Sequence, residues 1–490
     1  MILPVLMALL TAVGPLLRGA WDVWAQAILQ LALVSGFSLW VLSRIVLGYV
    51  PLPSSRTLGW VAVLLALSGL SAWMSPLHGL ARPALFTAWA SLWIFPAMAA
   101  ITKDQRFWID EAIRVCAWIL MALAFYQRFS LGEERPPSAL LNANVYAGTA
   151  LMFLALAAEK KDWLLAWGLL WSLSWTRSVG AWLGLSLALM LTQRRSYRFG
   201  FWVGTVVAIA CAVAVYGKLN SPEVVHRWWW WKAACAMAWD RPWTGYGPGA
   251  FAYMLPAYLS LPVSGLLSLY AHQYALETFS NLGLLFGIVW FAGLWHCLER
   301  NTSHKRFGVV AALFHSLWDY PLSMPANLWL FSYFAASSIP HSGEGMNIRG
   351  RYKFFLAAAV AGVGYCAGRQ VWRYWDGHRM AARAVDAARQ GRWEEARSWG
   401  ERAHRRVADD PEAAYAAASV EMGRAMARPA ESQDAWRSAA RYLEAATRLN
   451  PYRASAWNEL SFVYRKLGRA DLADEASRRS RRFFAFPKLR

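Results

Sequence analysis

Thirteen apolar runs divide the first 372 residues, and most approach the length that crosses a bilayer. They lie at 2–17, 24–43, 58–74, 82–101, 110–126, 143–158, 162–176, 178–193, 200–217, 269–295, 307–318, 326–339 and 354–372. A hydrocarbon core asks for about 20 such residues per helix. Inside it every backbone N–H and C=O must be bonded within its own segment, so each run is committed to helix. A soluble core has no need of so many separate runs. The expected fold is all-α: a polytopic membrane domain with about 12–13 transmembrane helices over 1–374, followed by a soluble helical domain over 375–490.

Charge supports this division. Only 16% of residues are charged, against roughly a quarter in a soluble domain. They are sparse up to about residue 370 and dense afterwards. The net charge of +20 raises nucleic acid as a partner, but the basic residues sit in short clusters between alternate runs. The clusters are Arg44 and Arg56; Lys103 and Arg106; Lys160 and Lys161; Arg194, Arg195 and Arg198; Arg300, Lys305 and Arg306; and Arg349, Arg351 and Lys353. That is the pattern of cytoplasmic loops facing anionic lipid, with no nucleic acid involved. If all thirteen runs span, every cluster and the N-terminus fall on the cytoplasmic side. The loops 18–24, 75–80, 127–141, the tip at Arg177, the long loop 218–268 and 318–326 then face outward. Residues 1–17 lack a basic start, so they read as a first transmembrane helix and not as a cleaved signal.

Cys116, Cys211, Cys235, Cys297 and Cys366 lie in or near apolar runs without close pairing. They read as buried free thiols, with neither disulfide nor metal. Tryptophan is abundant, with 31 copies. Aromatic belts at the two membrane interfaces account for most of them, and stacking of sugars on aromatic faces is the functional alternative. After Trp372 the composition turns to Ala, Arg, Glu and Asp. Three units end near Pro411, Pro451 and Pro487. A period of about 34 residues with small residues at helix crossings resembles tetratricopeptide repeats. Such repeats present a concave surface to a protein partner; a plain helical cap is the simpler alternative. The middle unit carries an insertion around 426–433. With thirteen spans this domain is extracytoplasmic.

Charged groups at membrane depth are costly and are candidates for function. Arg177 sits at an outer tip, where a guanidinium grips phosphate with two parallel hydrogen bonds or snorkels to the interface. The long loop contains His226, Arg227, a run of four tryptophans at 228–231, and the stretch Asp-Arg-Pro-Trp-Thr-Gly-Tyr-Gly-Pro-Gly-Ala-Phe at 240–251. Residues 224–239 form an amphipathic interfacial helix in this reading. Pro242 then ends it, and Gly245 and Gly247 force a turn that offers a weak phosphate cradle. His272 opens the next run, where an imidazole suits general-base work on a hydroxyl or serves as a hydrogen-bonded interfacial residue.

The ordered set of Asn-Ala-Asn-Val-Tyr-Ala-Gly at 142–148, Thr-Arg-Ser at 176–178, Arg227 with Trp231, the 240–251 stretch, Ala-His-Gln at 271–273 and Gly-Leu-Leu-Phe-Gly at 283–287 resembles the O-antigen ligase and polymerase family. The resemblance covers roughly 120–340, and His315 and Asp319 look like a late element of it. It implies inverting transfer of a glycan from undecaprenyl diphosphate to a hydroxyl, at the outer face of a bacterial inner membrane, with neither metal nor other cofactor. The implied acceptors are lipid A-core, a growing glycan or a protein, so ligase, polymerase and protein O-oligosaccharyltransferase stay open. By the same resemblance His272 is the base, and Arg177 and Arg227 hold the diphosphate. Asn144, Trp231, Arg241, Gly245, Gly247, His315 and Asp319 are further site candidates. Gln273, Glu277 and Asn281 depart from the family pattern on the acceptor side. A transporter or flippase for lipid-linked sugars would use the same intramembrane charges but calls for an internal repeat, and none is evident in 1–372. A membrane-anchored scaffold leaves the Arg and His residues unexplained.

Overall fold

The computed structural model describes residues 1–192, 202, 204–207, 209, 210, 216, 222–259, 267–341 and 345–483. Most of the expected run 200–217, the cluster Arg194, Arg195 and Arg198, Cys211 and the unit end at Pro487 lie outside the described residues. Among the described residues the secondary structure is helical apart from one antiparallel pair of short strands, Tyr49–Pro51 with Gly345–Asn347. The remaining apolar runs each form helix. Val23–Leu47, Ser55–Met74 and Tyr352–Arg389 are long and apolar enough to cross a membrane. His78–Met98 and Lys103–Phe129 are of comparable length, about 30 Å or more at 1.5 Å per residue. Ala143–Glu159 is buried along almost its whole length, so it forms the axis of the bundle.

Local chemistry sets the helix starts. Thr102 and Gln105 form a reciprocal capping box on Lys103–Phe129, which satisfies two otherwise orphaned N–H groups. The Asn142 side chain accepts from Asn144 N at the start of Ala143–Glu159, and Gln273 accepts from Leu276 N at the start of Tyr274–Leu282; both are N-caps.

The run 269–295 is not one helix. Residues 269–273 are non-helical, and the rest splits into Tyr274–Leu282 and Leu284–Arg300 at Gly283. The long loop causes the break. Leu284 N donates to Pro242 O (2.7 Å), and a β-carbon on Gly283 (φ +86°) would strike the Trp243 carbonyl. Apolar composition alone does not reveal such a contact. The loop itself carries the expected helix, as Pro222–Asp240.

The helix ends sort into two sets. At one end Lys353 Nζ donates to Val46 O, Arg106 to Ser337 O and Ile339 O, and Lys305 meets Asp110 and Glu159. The described basic clusters gather here. At the other end lie the long loop, His272, Arg177 and residues 75–80.

Tyr352–Arg389 is continuous for 38 residues and leads from the bundle into a stack of helices. It packs on Trp393–Arg406, followed by Pro411–Ala427 with Ser432–Leu449 and Ala454–Lys466 with Ala470–Phe483. Ala384, Ala387, Ala396 and Val420 fill one crossing. Small side chains let the helix axes approach. The 426–433 insertion forms a short 3-10 turn, Pro429–Glu431. The stack rests on the His272 end of the bundle. Asp409 pairs with Arg82 (2.6 Å) and Arg373 (3.0 Å), and Gly79 lies against the Asp409 backbone. Cys116 and Cys297 are buried, whereas Cys235 and Cys366 are exposed on outward helix faces, so only the first two fit the expected buried thiols.

Gly283→Ala forces a side chain into left-handed backbone against the Trp243 carbonyl. We expect a loss of about 2 kcal/mol, read as a lowered thermal unfolding midpoint in detergent.

Candidate active site

Asp319 lies between the Lys305–His315 helix and the Pro321–Ser323 turn and is 3% exposed. Both of its oxygens are occupied. Oδ1 accepts from His272 Nδ1 (3.1 Å) and from Tyr320 N (2.9 Å). Oδ2 accepts from Asn144 Nδ2 (2.6 Å) and Arg227 Nη2 (3.3 Å). A carboxylate only accepts, so the proton of the bonded imidazole edge sits on Nδ1. Burial opposes the charge on Asp319, but the hydrogen bond from His272 and the neighbouring guanidinium of Arg227 hold its pKa down to about 2.

His272 is fixed from three directions. Its backbone is in the left-handed region (φ 54°), an uncommon state for a non-glycine residue that marks strained functional positions. Trp230 stacks on its face, 4.8 Å between centroids, and Tyr320 meets it edge-on at 4.6 Å. With Nδ1 committed to Asp319, Nε2 has no hydrogen-bond partner among the described residues and presents a lone pair.

Arg227 also donates to Trp318 O (2.9 Å), which leaves further guanidinium N–H groups for a ligand. Arg177 lies on the turn that follows Trp163–Trp175. It shares the left-handed backbone state (φ 54°), pairs with Glu134 at 3.1 Å and keeps 61% of its side chain exposed. Arg135 links it to the centre, donating to Thr176 O and to Asn144 Oδ1 (both 3.0 Å). His315 is fully buried beneath the Arg177 turn, with Nε2 at 3.2 Å from Ser178 Oγ. Gly148 and Gly180 leave room for that ring.

The structure therefore brings His272, Arg227, Asn144 and Asp319 into contact and puts Arg177 and His315 beside them. Other candidates serve the scaffold. Gly245 and Gly247 do not form a phosphate cradle: their N–H groups donate to Arg241 O and Asn281 O, and Tyr246 N to Ser280 O. The turn docks on the broken end of Tyr274–Leu282, where a β-carbon at Gly245 would strike Asn281 backbone. Arg241 lies over the Tyr246 ring at 4.8 Å and donates to Met74 O, which pins this turn. Trp231 packs 6.2 Å from Trp318. The three departures from the family pattern also have local partners. Gln273 caps its helix, Glu277 accepts from Ala271 N (3.0 Å), and Asn281 accepts from Phe251 N (2.9 Å). Sequence reasoning missed Glu134, Arg135 and Tyr320 and marked Trp230 only as one of four consecutive tryptophans.

Comparison with known proteins gives one family match. Residues 162–291 match the family model of O-antigen ligase, a stretch that includes Arg177, Arg227, the loop turn and His272. This supports an enzyme role of the O-antigen ligase or polymerase type in general terms. No curated protein and no solved structure matches the chain.

Asp319→Asn leaves Arg227 partly buried without its counter-charge, and we expect a loss of about 2 kcal/mol. A depressed carboxylate pKa contributes stability above the ordinary value of 3.8 that fades as the pH falls through about 2. The difference between wild type and variant in thermal unfolding should therefore persist from neutral pH to about 4 and shrink below it.

Proposed function

We propose that this protein is an inverting glycosyltransferase that moves a glycan from undecaprenyl diphosphate to an acceptor hydroxyl on lipid A-core, a growing glycan or a protein. The observation that carries the reading is His272 held by Asp319 through Nδ1, with Nε2 open beside Arg227. In the step, the acceptor hydroxyl oxygen forms a bond to the anomeric carbon while its proton passes to His272 Nε2. The bond from that carbon to the diphosphate oxygen breaks, and its electron pair leaves with undecaprenyl diphosphate. Asp319 balances the imidazolium, as an anionic partner does for a general base. Arg227 and Arg177 neutralise the charge that develops on the leaving group, the interaction that gains most in the transition state.

The reading has about a dozen spans, with the basic clusters in the cytoplasm and His272 at the outer face of the inner membrane. The helical stack then lies on that same face as a tetratricopeptide-like domain. Its seat on residues 79–82 and against Tyr253, at the His272 end, supports this placement. With two guanidinium groups on the diphosphate, the reading requires no divalent metal.

His272→Ala in the full-length protein should lower glycan transfer from the lipid-linked donor by about a hundredfold or more, with the thermal midpoint in detergent retained. Normal transfer by that variant rejects the assigned base. Transfer by the wild type should also survive EDTA; a loss that Mg²⁺ or Mn²⁺ restores rejects the metal-free step.

A further inference from the structure

His272 is held twice, once through its ring and once through its backbone. Asp319, Trp230 and Tyr320 fix the ring. The backbone stands in the left-handed region (φ 54°), a state that a non-glycine residue keeps only where its surroundings impose it. Residues 269–273 are non-helical, so no helical ladder imposes it. Two N–H groups that flank His272 are tied instead. Tyr274 N donates to Ser316 O (2.8 Å), and Ala271 N donates to Glu277 Oε2 (3.0 Å).

The first tie is backbone to backbone. The second depends on a side chain. Glu277 lies in the first turn of Tyr274–Leu282 and is 9% exposed. Its own N–H continues the helix by donating to Gln273 O (3.0 Å), so its carboxyl reaches back past the helix start to Ala271. Ala271 is fully buried, and without this acceptor its N–H would be orphaned. Packing gives the segment less support on this side. Tyr270 and Glu277 border a cavity of about 340 Å³, and atoms that face a cavity lack contact partners. A hydrogen bond to a buried amide and the strain of a left-handed residue are of the same order. Removing the bond therefore lets the strain relax.

The fold alone does not account for Glu277. Among the described residues it forms no ion pair, and no Lys, Arg or His lines the cavity beside it. A buried carboxyl without a counter-charge is costly beside an apolar side chain of similar volume. What the carboxyl does supply is an acceptor for the peptide next to His272.

We infer that Glu277 is a positioning residue: by accepting from Ala271 N it keeps the His272 backbone in the left-handed state that aims the imidazole. It acts through an acceptor oxygen and not through its charge. Asp319 then sets the tautomer of the ring, and Glu277 sets where the ring stands. The consequence for rate rests on the glycosyl-transfer reading; the hold on His272 does not.

The test uses full-length protein in detergent. Glu277→Met removes the acceptor and nearly keeps the volume. Its kcat for transfer from the undecaprenyl-diphosphate-linked donor should fall about tenfold or more. KM for the donor should stay within about twofold, because Arg227 and Arg177 are untouched, and the thermal midpoint should be retained. Glu277→Gln keeps an acceptor oxygen and should return kcat to within about threefold of wild type. Thr278→Val, at a neighbouring hydroxyl that donates within its own helix to Tyr274 O (2.8 Å), should behave as wild type. A second arm needs no glycan transfer. Carbethoxylation of His272 by diethyl pyrocarbonate, followed on its peptide, should run about threefold faster in Glu277→Met as the ring leaves its place between Trp230 and Tyr320. In Glu277→Gln it should keep the wild-type rate. If Glu277→Met does not fold, Glu277→Ala takes its place. Wild-type kcat and wild-type carbethoxylation in the Met variant overturn the inference, as does a Gln variant as impaired as the Met variant. A thermal midpoint that collapses in the Met and Ala variants alike assigns Glu277 to the fold and also overturns it. A wild type that transfers no glycan counts against the enzyme reading alone, and the carbethoxylation rates then decide the hold on His272.

Discussion

The arrangement at His272 depends on one buried carboxylate. Asp319 accepts from four donors, and three of them come from parts of the chain far apart in sequence: Asn144, Arg227 and His272. A charge in that position is tolerable only because all of its lone pairs are used. The same bonds that solvate it orient everything around it. They select the imidazole tautomer, draw the Pro222–Asp240 helix over the bundle and bring the Arg135 and Asn144 pair to the foot of the Arg177 turn.

A second constraint is mechanical. The long loop is held as a part of the bundle because its glycine turn is hydrogen-bonded to the broken end of Tyr274–Leu282, and Gly283 yields to Pro242 and Trp243 in return. Each partner breaks the other's regular structure. The residues 269–273 that this arrangement leaves non-helical are the ones that carry His272. A residue on an intact helix would not reach the left-handed backbone state that aims its ring between Trp230 and Tyr320.

Much of the bundle was legible in the sequence. Apolar runs of near-spanning length have few alternatives to helix, and the described runs are helical apart from the break at Gly283. The helix expected at 224–239 was likewise readable from its spacing, and Arg227, His272 and Asp319 from a family resemblance. What the sequence hid is what depends on contact between distant segments. The break at Gly283 needs knowledge of Pro242. The cradle expected at Gly245 and Gly247 fails because Ser280 and Asn281 offer carbonyls that no local pattern announces. Glu134 and Arg135 look like ordinary loop charges until Thr176 and Asn144 are brought beside them.

The continuous helix Tyr352–Arg389 has a consequence for the protein as a whole. It lies against Val23–Leu47 along its first part and carries the helical stack on its second, while Asp409 fixes the stack to Arg82. Two rigid attachments at different heights leave little freedom to slide. A bilayer thicker or thinner than the apolar stretch cannot be accommodated by raising or lowering this helix alone. In a bilayer, a thickness mismatch of this kind, a fraction of a kcal/mol per Å in general, would bear on the Arg82, Asp409 and Arg373 contact, which ties the stack to the bundle.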